Sequence, residues 1–140
     1  MSLYTFIIER LPDVDGYGDT NKLIDDDGVS NHSAFKQFIR EDHEGDVGVY
    51  IISDTVDTKY HTDSFKKADI QVVVNTVNGD IDGALAYLTN TLINIKNNEK
   101  GDDVWVKSLK LLNVHPVGMN SAGIHWCVMN LHLKYIVAQN

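Results

Sequence analysis

The side chains of this sequence that could do chemistry are concentrated between residues 115 and 137, which read HPVGMNSAGIHWCVMNLHLKYIV. The only cysteine, Cys127, follows His125 and Trp126 there, and His132 lies further along. In a strand, alternation turns Cys127 towards apolar neighbours and turns His125 and Trp126 towards the opposite face. A thiol in apolar surroundings has a raised pKa and is unreactive, so the sequence predicts a structural rather than a nucleophilic cysteine.

The histidines and acidic residues do not have the spacing of a metal site. An odd interval of seven residues separates His125 from His132, which places them on opposite faces of a strand. Residues 78–89, NGDIDGALAYLT, match the first half of a calcium-binding loop, but Thr89 stands where that loop needs a bidentate glutamate. We therefore interpret Asp80 as the N-cap of a helix. The sequence contains no phosphate-binding loop, serine elbow or zinc-protease helix, and we expect no cofactor, no metal and no catalytic residue.

The charge balance of the chain favours proteins as partners. With 20 acidic and 12 basic residues the formal charge is −8, which disfavours binding to nucleic acid or to an anionic membrane. A single cysteine excludes an intramolecular disulfide and favours a reducing cytoplasm. The N-terminal residues lack the basic start and cleavage site of a signal peptide, and no apolar run approaches the ~20 residues that span a bilayer. We expect a soluble chain with one domain over residues 1–140.

Hydrophobic periodicity predicts seven elements in the order α-α-β-β-α-β-β. Helices are expected at about residues 3–11, 30–41 and 81–95, and strands at 47–53, 69–77, 104–114 and 123–137. Residues 13–28 and 54–68 are predicted to be exposed loop segments because they are rich in polar and turn-forming residues. Pairs of strands separated by a helix indicate an α+β fold, with a mostly antiparallel four-stranded sheet and helices packed on one face.

From Ile70 onwards, the order of apolar residues and turns resembles a known family. IQVVVNT leads into DGALAYLTNTLINIKNN and then into VWVKSLKLLNVHPVGMNSAGIHWCVMNLHLKY. The residues that carry the likeness, first in the connecting turn and then in the closing strand, are Pro116, Gly118, Asn120, Gly123, Asn130, Leu131, Leu133 and Tyr135. This strand, helix and closing hairpin resemble the tail-terminator and minor capsid proteins of long-tailed bacteriophages over about half of the chain.

The resemblance implies a structural virion assembly protein, not an enzyme. Members of that family form rings, commonly of six subunits, which cap the head-proximal end of the tail tube and contact the head connector. The expected partners are therefore further copies of the chain, the tail tube protein and the head connector proteins, without membrane or direct nucleic-acid binding. The expected location is the virion, after assembly in the cytoplasm of a bacterial host.

Alternation along the last strand divides its side chains into a core set and an outer set. The core set comprises Cys127, Met129, Leu131, Leu133, Tyr135 and Val137. The outer set, extended onto the adjacent strand, supplies the candidate residues for a subunit interface or a ring lumen: Trp126, Val128, Asn130, His132, Lys134, Trp105 and Lys107. Other interpretations stay open. Trp126 and Val128 could cover the sheet beneath an N-terminal helix, Trp105 could anchor the core, and the lysines could be solvated strand charges.

Two other function classes are compatible with the residues. A small-ligand or regulatory binding domain is the first alternative, since α+β sheets of this size serve many functions. A hydrolase built from dispersed Asp and His residues is the second. A pocket that a small molecule saturates would favour the first alternative, and two perturbed titrations in one cleft would favour the second.

Overall fold

The described parts of the chain form a five-stranded sheet and two helices. A computed structural model describes residues 3–18, 34–36, 39–56 and 65–137. In chain order the elements are α1 (Leu3–Ile8), β1 (Ala34–Lys36), β2 (Val47–Val56), β3 (Phe65–Asn75), α2 (Ile81–Asn97), β4 (Val104–Met119) and β5 (His125–Val137). The strands lie side by side in the order β1-β2-β3-β5-β4. The four long strands pair antiparallel and β1 joins β2 in parallel, so the fold class is α+β, as predicted.

One continuous core contains residues of both helices and of alternate strand positions. The strands supply β-branched and aliphatic residues such as Val72 on β3 and Leu131 on β5, and both are fully buried. Phe6 of α1 and Leu88 of α2 belong to the same cluster. Burying one such side chain stabilises the fold by roughly 1.5–3 kcal/mol, so these alternations decide which face of the sheet turns to the core.

The predicted core face of the last strand is confirmed. Its side chains are buried or, for the last of them, packed against the margin of the core: Cys127, Met129, Leu131, Leu133, Tyr135 and Val137. Their partners on β3 are buried as well, since Val74 pairs with Cys127 and Ile70 with Leu131. The core face of the sheet is therefore lined by buried apolar side chains along β3 and β5.

Helix α2 begins where the sequence indicates a cap. The Asp80 side chain accepts a hydrogen bond from the Gly83 N–H at 3.0 Å, which satisfies one of the donors that the first helical turn leaves free. Leu88 and Ile95 are fully buried on the inner side of this helix. The likeness of residues 78–89 to half of a calcium loop is accounted for by this capping turn.

The prediction of a helix at about residues 30–41 is wrong for the residues that the structure describes. Ala34 pairs with Val47 and Lys36 pairs with Val49, which makes this segment strand β1. The order is therefore α-β-β-β-α-β-β, with two helices in the described ranges instead of three. Short apolar runs fit both the helical period and the alternation of a strand. In this segment, pairing with the edge of β2 prevails over helical periodicity. The other residues of this prediction, 30–33 and 37–38, lie outside the described ones.

The strands extend further than the sequence predicts. β2 and β3 include residues 54–56 and 65–68, which are loop in the prediction, and β4 continues to Met119. Their backbone pairing continues through exposed polar residues such as Thr55 and Lys67, so composition alone hides these strand ends. Residues 13–18 form a turn in which Tyr17 is buried against Tyr87, with ring centroids 5.4 Å apart. Residues 19–28 and 57–64 lie outside the described ranges.

An ion pair between partly exposed Arg40 and buried Asp46 fixes the loop of residues 40–46, which leads into β2. Arg40 donates to Asp46 from Nε at 2.8 Å and from a terminal nitrogen at 2.9 Å, and Asp46 is fully buried. Asn75, at the end of β3, donates from Nδ2 to the carbonyl oxygens of Arg40 and His43 at 2.8 and 2.9 Å. A buried carboxylate is tolerated when it is paired and hydrogen-bonded, so these contacts hold the loop against the sheet.

Candidate functional site

The sheet face that does not belong to the main core carries the residues that the sequence singles out. We call it the open face. The strand register places on it Tyr50, Ser53, Asp69, Gln71, Val73, Asn75, Trp105, Lys110, Asn113, Trp126, Val128, Asn130, His132 and Lys134. Most of these side chains are polar and partly exposed, in contrast to the apolar core side.

One row of the open face joins three strands through a carboxylate. Ser53 Oγ donates to Asp69 Oδ2 at 2.9 Å, and His132 Nδ1 lies 2.8 Å from Asp69 Oδ1. The hydrogen bond from His132, followed by that from Ser53, lowers the pKa of Asp69. Asp69 and not His132 is the central member, so this row lacks the order of a nucleophile, histidine and carboxylate triad.

A second row of the open face is built from amides. Gln71 Nε2 donates to Asn130 Oδ1 at 3.1 Å, and Asn130 Nδ2 donates to Asn113 Oδ1 at 2.8 Å. The three side chains belong to β3, β5 and β4, so the row bonds neighbouring strands to each other. Cross-strand pairs of this kind stabilise a particular register, and we assign Asn130 this structural contribution.

The seven candidate residues differ in what they can contact. Val128 is only 4% exposed beside the equally buried Val73, so it is not available to a partner. Trp105 is 40% exposed and is no core anchor, and Lys107 Nζ lies 3.9 Å from its ring centroid. Trp126, Asn130, His132 and Lys134 are partly exposed on the open face.

The outer edge of the sheet is an apolar strand. β4 is the last strand in the sheet order, and its exposed aliphatic and sulfur-containing side chains are Leu111, Leu112, Val117 and Met119. Its register against β5 shifts in three places, which leaves Lys107, Leu112 and Val117 as bulged residues. We call residues 107–119 the edge segment. The sequence analysis did not single out its apolar residues, although LKLLNV is an apolar run that strict alternation does not explain.

The turn between β4 and β5 is bonded to the loop of residues 40–46. Asn120 Oδ1 accepts from the N–H groups of Ala122 and Ile124, at 2.9 and 3.1 Å. Asn120 Nδ2 donates to the Glu41 carbonyl oxygen at 2.9 Å, and Ser121 Oγ donates to Glu41 Oε2 at 2.7 Å. Sequence reasoning noticed Asn120 in the turn but missed Glu41, because nothing local to residue 41 signals a contact so distant along the chain.

The comparisons with known proteins add no family. No protein-family model matches the sequence, and no curated protein is detectably similar to it. Over residues 3–18, 34–36, 39–56 and 65–137, no group of three His, Cys, Asp or Glu side chains could hold a metal ion. No helix in those ranges is long and apolar enough to cross a membrane.

We expect Cys127 to be unreactive in the folded protein. Its side chain is fully buried, and burial raises the pKa of the thiol, so little reactive thiolate forms at neutral pH. With Ellman's reagent, the native protein should react far more slowly than the same protein in denaturing urea. Rapid stoichiometric modification under native conditions would contradict the assignment of Cys127 as a core residue.

The Asp69 carboxyl should titrate below its ordinary value of 3.8. Because its folded-state pKa is lowered, its stabilising contribution is present above pH ~4 and is lost as the pH falls through the folded-state value. Carbon-detected NMR titration of the side-chain carboxyl measures this directly. In His132→Phe the Asp69 pKa should return towards 3.8, and an unchanged pKa in this variant would disprove the role of the imidazole.

Proposed function

We propose that the protein is a structural assembly protein that closes into a ring of identical subunits, commonly six in the family that it resembles, and acts as a phage tail terminator. In that role it caps the tail tube and contacts the head connector. The observation that supports the proposal most is the edge segment, where Leu111, Leu112, Val117 and Met119 are 43–61% exposed along one strand. Exposed apolar side chains that cluster on one part of a surface are typical of sites that bind another protein.

The position of the edge segment favours contact with a further copy of the chain. At the start of β4 the chain covers its own edge, since Val106 N–H donates to the Glu99 carbonyl oxygen at 2.8 Å. Beyond that point no strand of the described chain pairs with the outer edge. The other edge of the sheet is the short strand β1, so the two edges differ. A contact between unlike surfaces of successive copies is heterologous, and it closes into a ring when the rotation allows.

The bulges of β4 specify the kind of contact. A regular exposed edge invites indiscriminate strand addition, and bulges and lysines suppress it. In the edge segment Lys107, Leu112 and Val117 are bulged, and Lys110 adds a second charge. The edge segment is therefore suited to side-chain packing on the neighbouring subunit and poorly suited to continuous β-sheet extension.

Hydrogen exchange of the assembled protein tests the proposal. Amides of residues 107–119 should exchange more slowly in concentrated, assembled protein than in dilute protein, because the neighbouring subunit excludes water from them. Amides of β3, which is paired on both sides, serve as the internal control and should not change. An assembly in which residues 107–119 exchange as fast as in the monomer would show that this strand is not the interface.

A further inference from the structure

A cleft of about 450 Å³ lies on the open face where the loop of residues 40–46 meets the β4–β5 turn. This is within the range of about 300–1,000 Å³ that small-molecule sites occupy. Strands β2, β3 and β5 form its floor, and the loop and the turn form its walls. The described residues that line it are Ile39, Glu41, Tyr50, Gln71, Val73, Asn75, Met119, Asn120, Ser121 and Trp126.

The walls of the cleft are fixed before any ligand arrives. Two hydrogen bonds join the turn to Glu41 of the loop, from Asn120 Nδ2 to its carbonyl oxygen and from Ser121 Oγ to its carboxylate. The Asn75 amide holds the backbone of Arg40 from below at 2.8 Å. A site held in place by the fold loses little conformational entropy when it binds, which favours affinity.

The aromatic wall of the cleft depends on a glycine in β2. A Cβ at Gly48 would lie 2.8 Å from Cε2 of Tyr50, so the Tyr50 ring lies along its own strand over the Gly48 backbone. The ring thereby closes the β2 side of the cleft. The Tyr50 hydroxyl is protonated at neutral pH, as in any tyrosine, and burial raises its pKa further.

Polar groups in the cleft have unused hydrogen-bonding capacity. In the described part of the chain, the Trp126 indole N–H and the Tyr50 hydroxyl have no hydrogen-bond partner. Gln71 uses its amide nitrogen on Asn130, which leaves its oxygen as an acceptor. These groups are partly exposed, so a molecule in the cleft could bond to them without breaking a bond within the protein.

A second cleft shows the opposite pattern. It measures about 460 Å³ and lies between the end of α1 and the end of α2. Two of its polar side chains bond to backbone carbonyl oxygens across the cleft lining: Arg10 Nε donates to the Asn98 backbone oxygen at 2.8 Å, and Asn94 Nδ2 donates to the Arg10 backbone oxygen at 3.0 Å. That cleft is a structural junction, whereas in the cleft at Trp126 the indole N–H and the Tyr50 hydroxyl stay available to a ligand.

We propose that the cleft at Trp126 and Tyr50 binds a small organic cation with an apolar body. None of its described lining residues is Lys, Arg or His, and Glu41 supplies a carboxylate. Trp and Tyr rings attract cations through their faces, and Val73, Met119 and Ile39 supply apolar surface. The formal charge of −8 adds a general preference for cations over anions. This inference concerns a small ligand and is independent of ring formation.

Three probes of matched shape test the proposal: benzamidinium, benzamide and benzoate, which are cationic, neutral and anionic. Each is titrated while the two indole N–H signals are followed by NMR, with Trp105→Phe used to assign them. Benzamidinium should shift the Trp126 signal saturably and bind about tenfold more tightly than benzamide. Benzoate should produce no saturable shift.

Two variants locate the binding and its charge preference. Glu41→Gln keeps an acceptor for Ser121 but should reduce the preference for benzamidinium over benzamide severalfold, while Trp105→Phe should leave binding unchanged. The proposal is overturned if benzamidinium leaves the Trp126 signal unmoved up to its solubility limit. Equal binding of all three probes, or an unchanged preference in Glu41→Gln, would also overturn it.

Discussion

Replacing Gly45 with alanine should destabilise the fold by about 4 kcal/mol or more, a large loss for the addition of one methyl group. Gly45 has a φ of +80°, where an L residue costs about 1–2 kcal/mol. The added Cβ would also overlap the backbone carbonyl oxygen of Gly16, which cannot rotate away as a side chain could. The expected result is a marked drop in the urea midpoint, measured by circular dichroism with an unchanged m-value.

Gly79→Ala provides the matched control for this prediction. Gly79 has a similar φ of +71°, but nothing lies within 4 Å of an added Cβ. Gly79→Ala should therefore lower the free energy of unfolding only by the backbone conformational cost of about 1–2 kcal/mol. If Gly45→Ala and Gly79→Ala shifted the urea midpoint equally, the close approach of residues 16 and 45 would not exist in solution.

Leu112→Asp should abolish assembly and leave the subunit folded. Leu112 is a bulged residue of β4 and is 49% exposed, so a change there should move the free energy of unfolding of the isolated subunit by about 0.5 kcal/mol or less. In a subunit interface, the same change would bury a carboxylate without a partner, which costs several kcal/mol. Every subunit interface of a ring would carry this free-energy cost. Sedimentation velocity of the variant should show only the single chain at concentrations where the parent protein assembles.

Ile93→Asp is the control for the edge segment. Ile93 is an aliphatic residue of α2 with a similar exposure of 44%, and it lies outside β4. This variant should assemble like the parent protein. Loss of assembly in both variants would point to a general effect of added negative charge, and normal assembly of Leu112→Asp would remove β4 from the interface.

The elements with long, regular patterns could be predicted from the sequence. The apolar spacing of α2 and the alternation of β5 each extend over many residues and match burial in the structure, as Leu88 and Leu131 show. Strand β1 could not be predicted, because three residues carry too little periodicity to outweigh a helical interpretation. Its conformation depends on the edge of β2, which is a tertiary partner.

The candidate surfaces could be predicted only in part, because they also depend on tertiary pairing between strands. Alternation assigned Trp126, Asn130 and His132 to one face, but register decides that they pair with Asn75, Gln71 and Asp69. The sequence shows no signal for which residue of β3 faces which residue of β5. The bulges of β4 were missed because each adds one residue to the alternation, so the exposed apolar residues of the edge segment resemble a continuous apolar run.

Absolute mass measured by multi-angle light scattering across a concentration series, with negative-stain imaging of any large species, tests the central claim most directly. Closure into a ring of six subunits predicts a concentration-dependent species with a mass about six times that of the 15.7 kDa chain, seen as a ring with a central opening. A mass of one chain at every concentration, including the highest attainable, would contradict it.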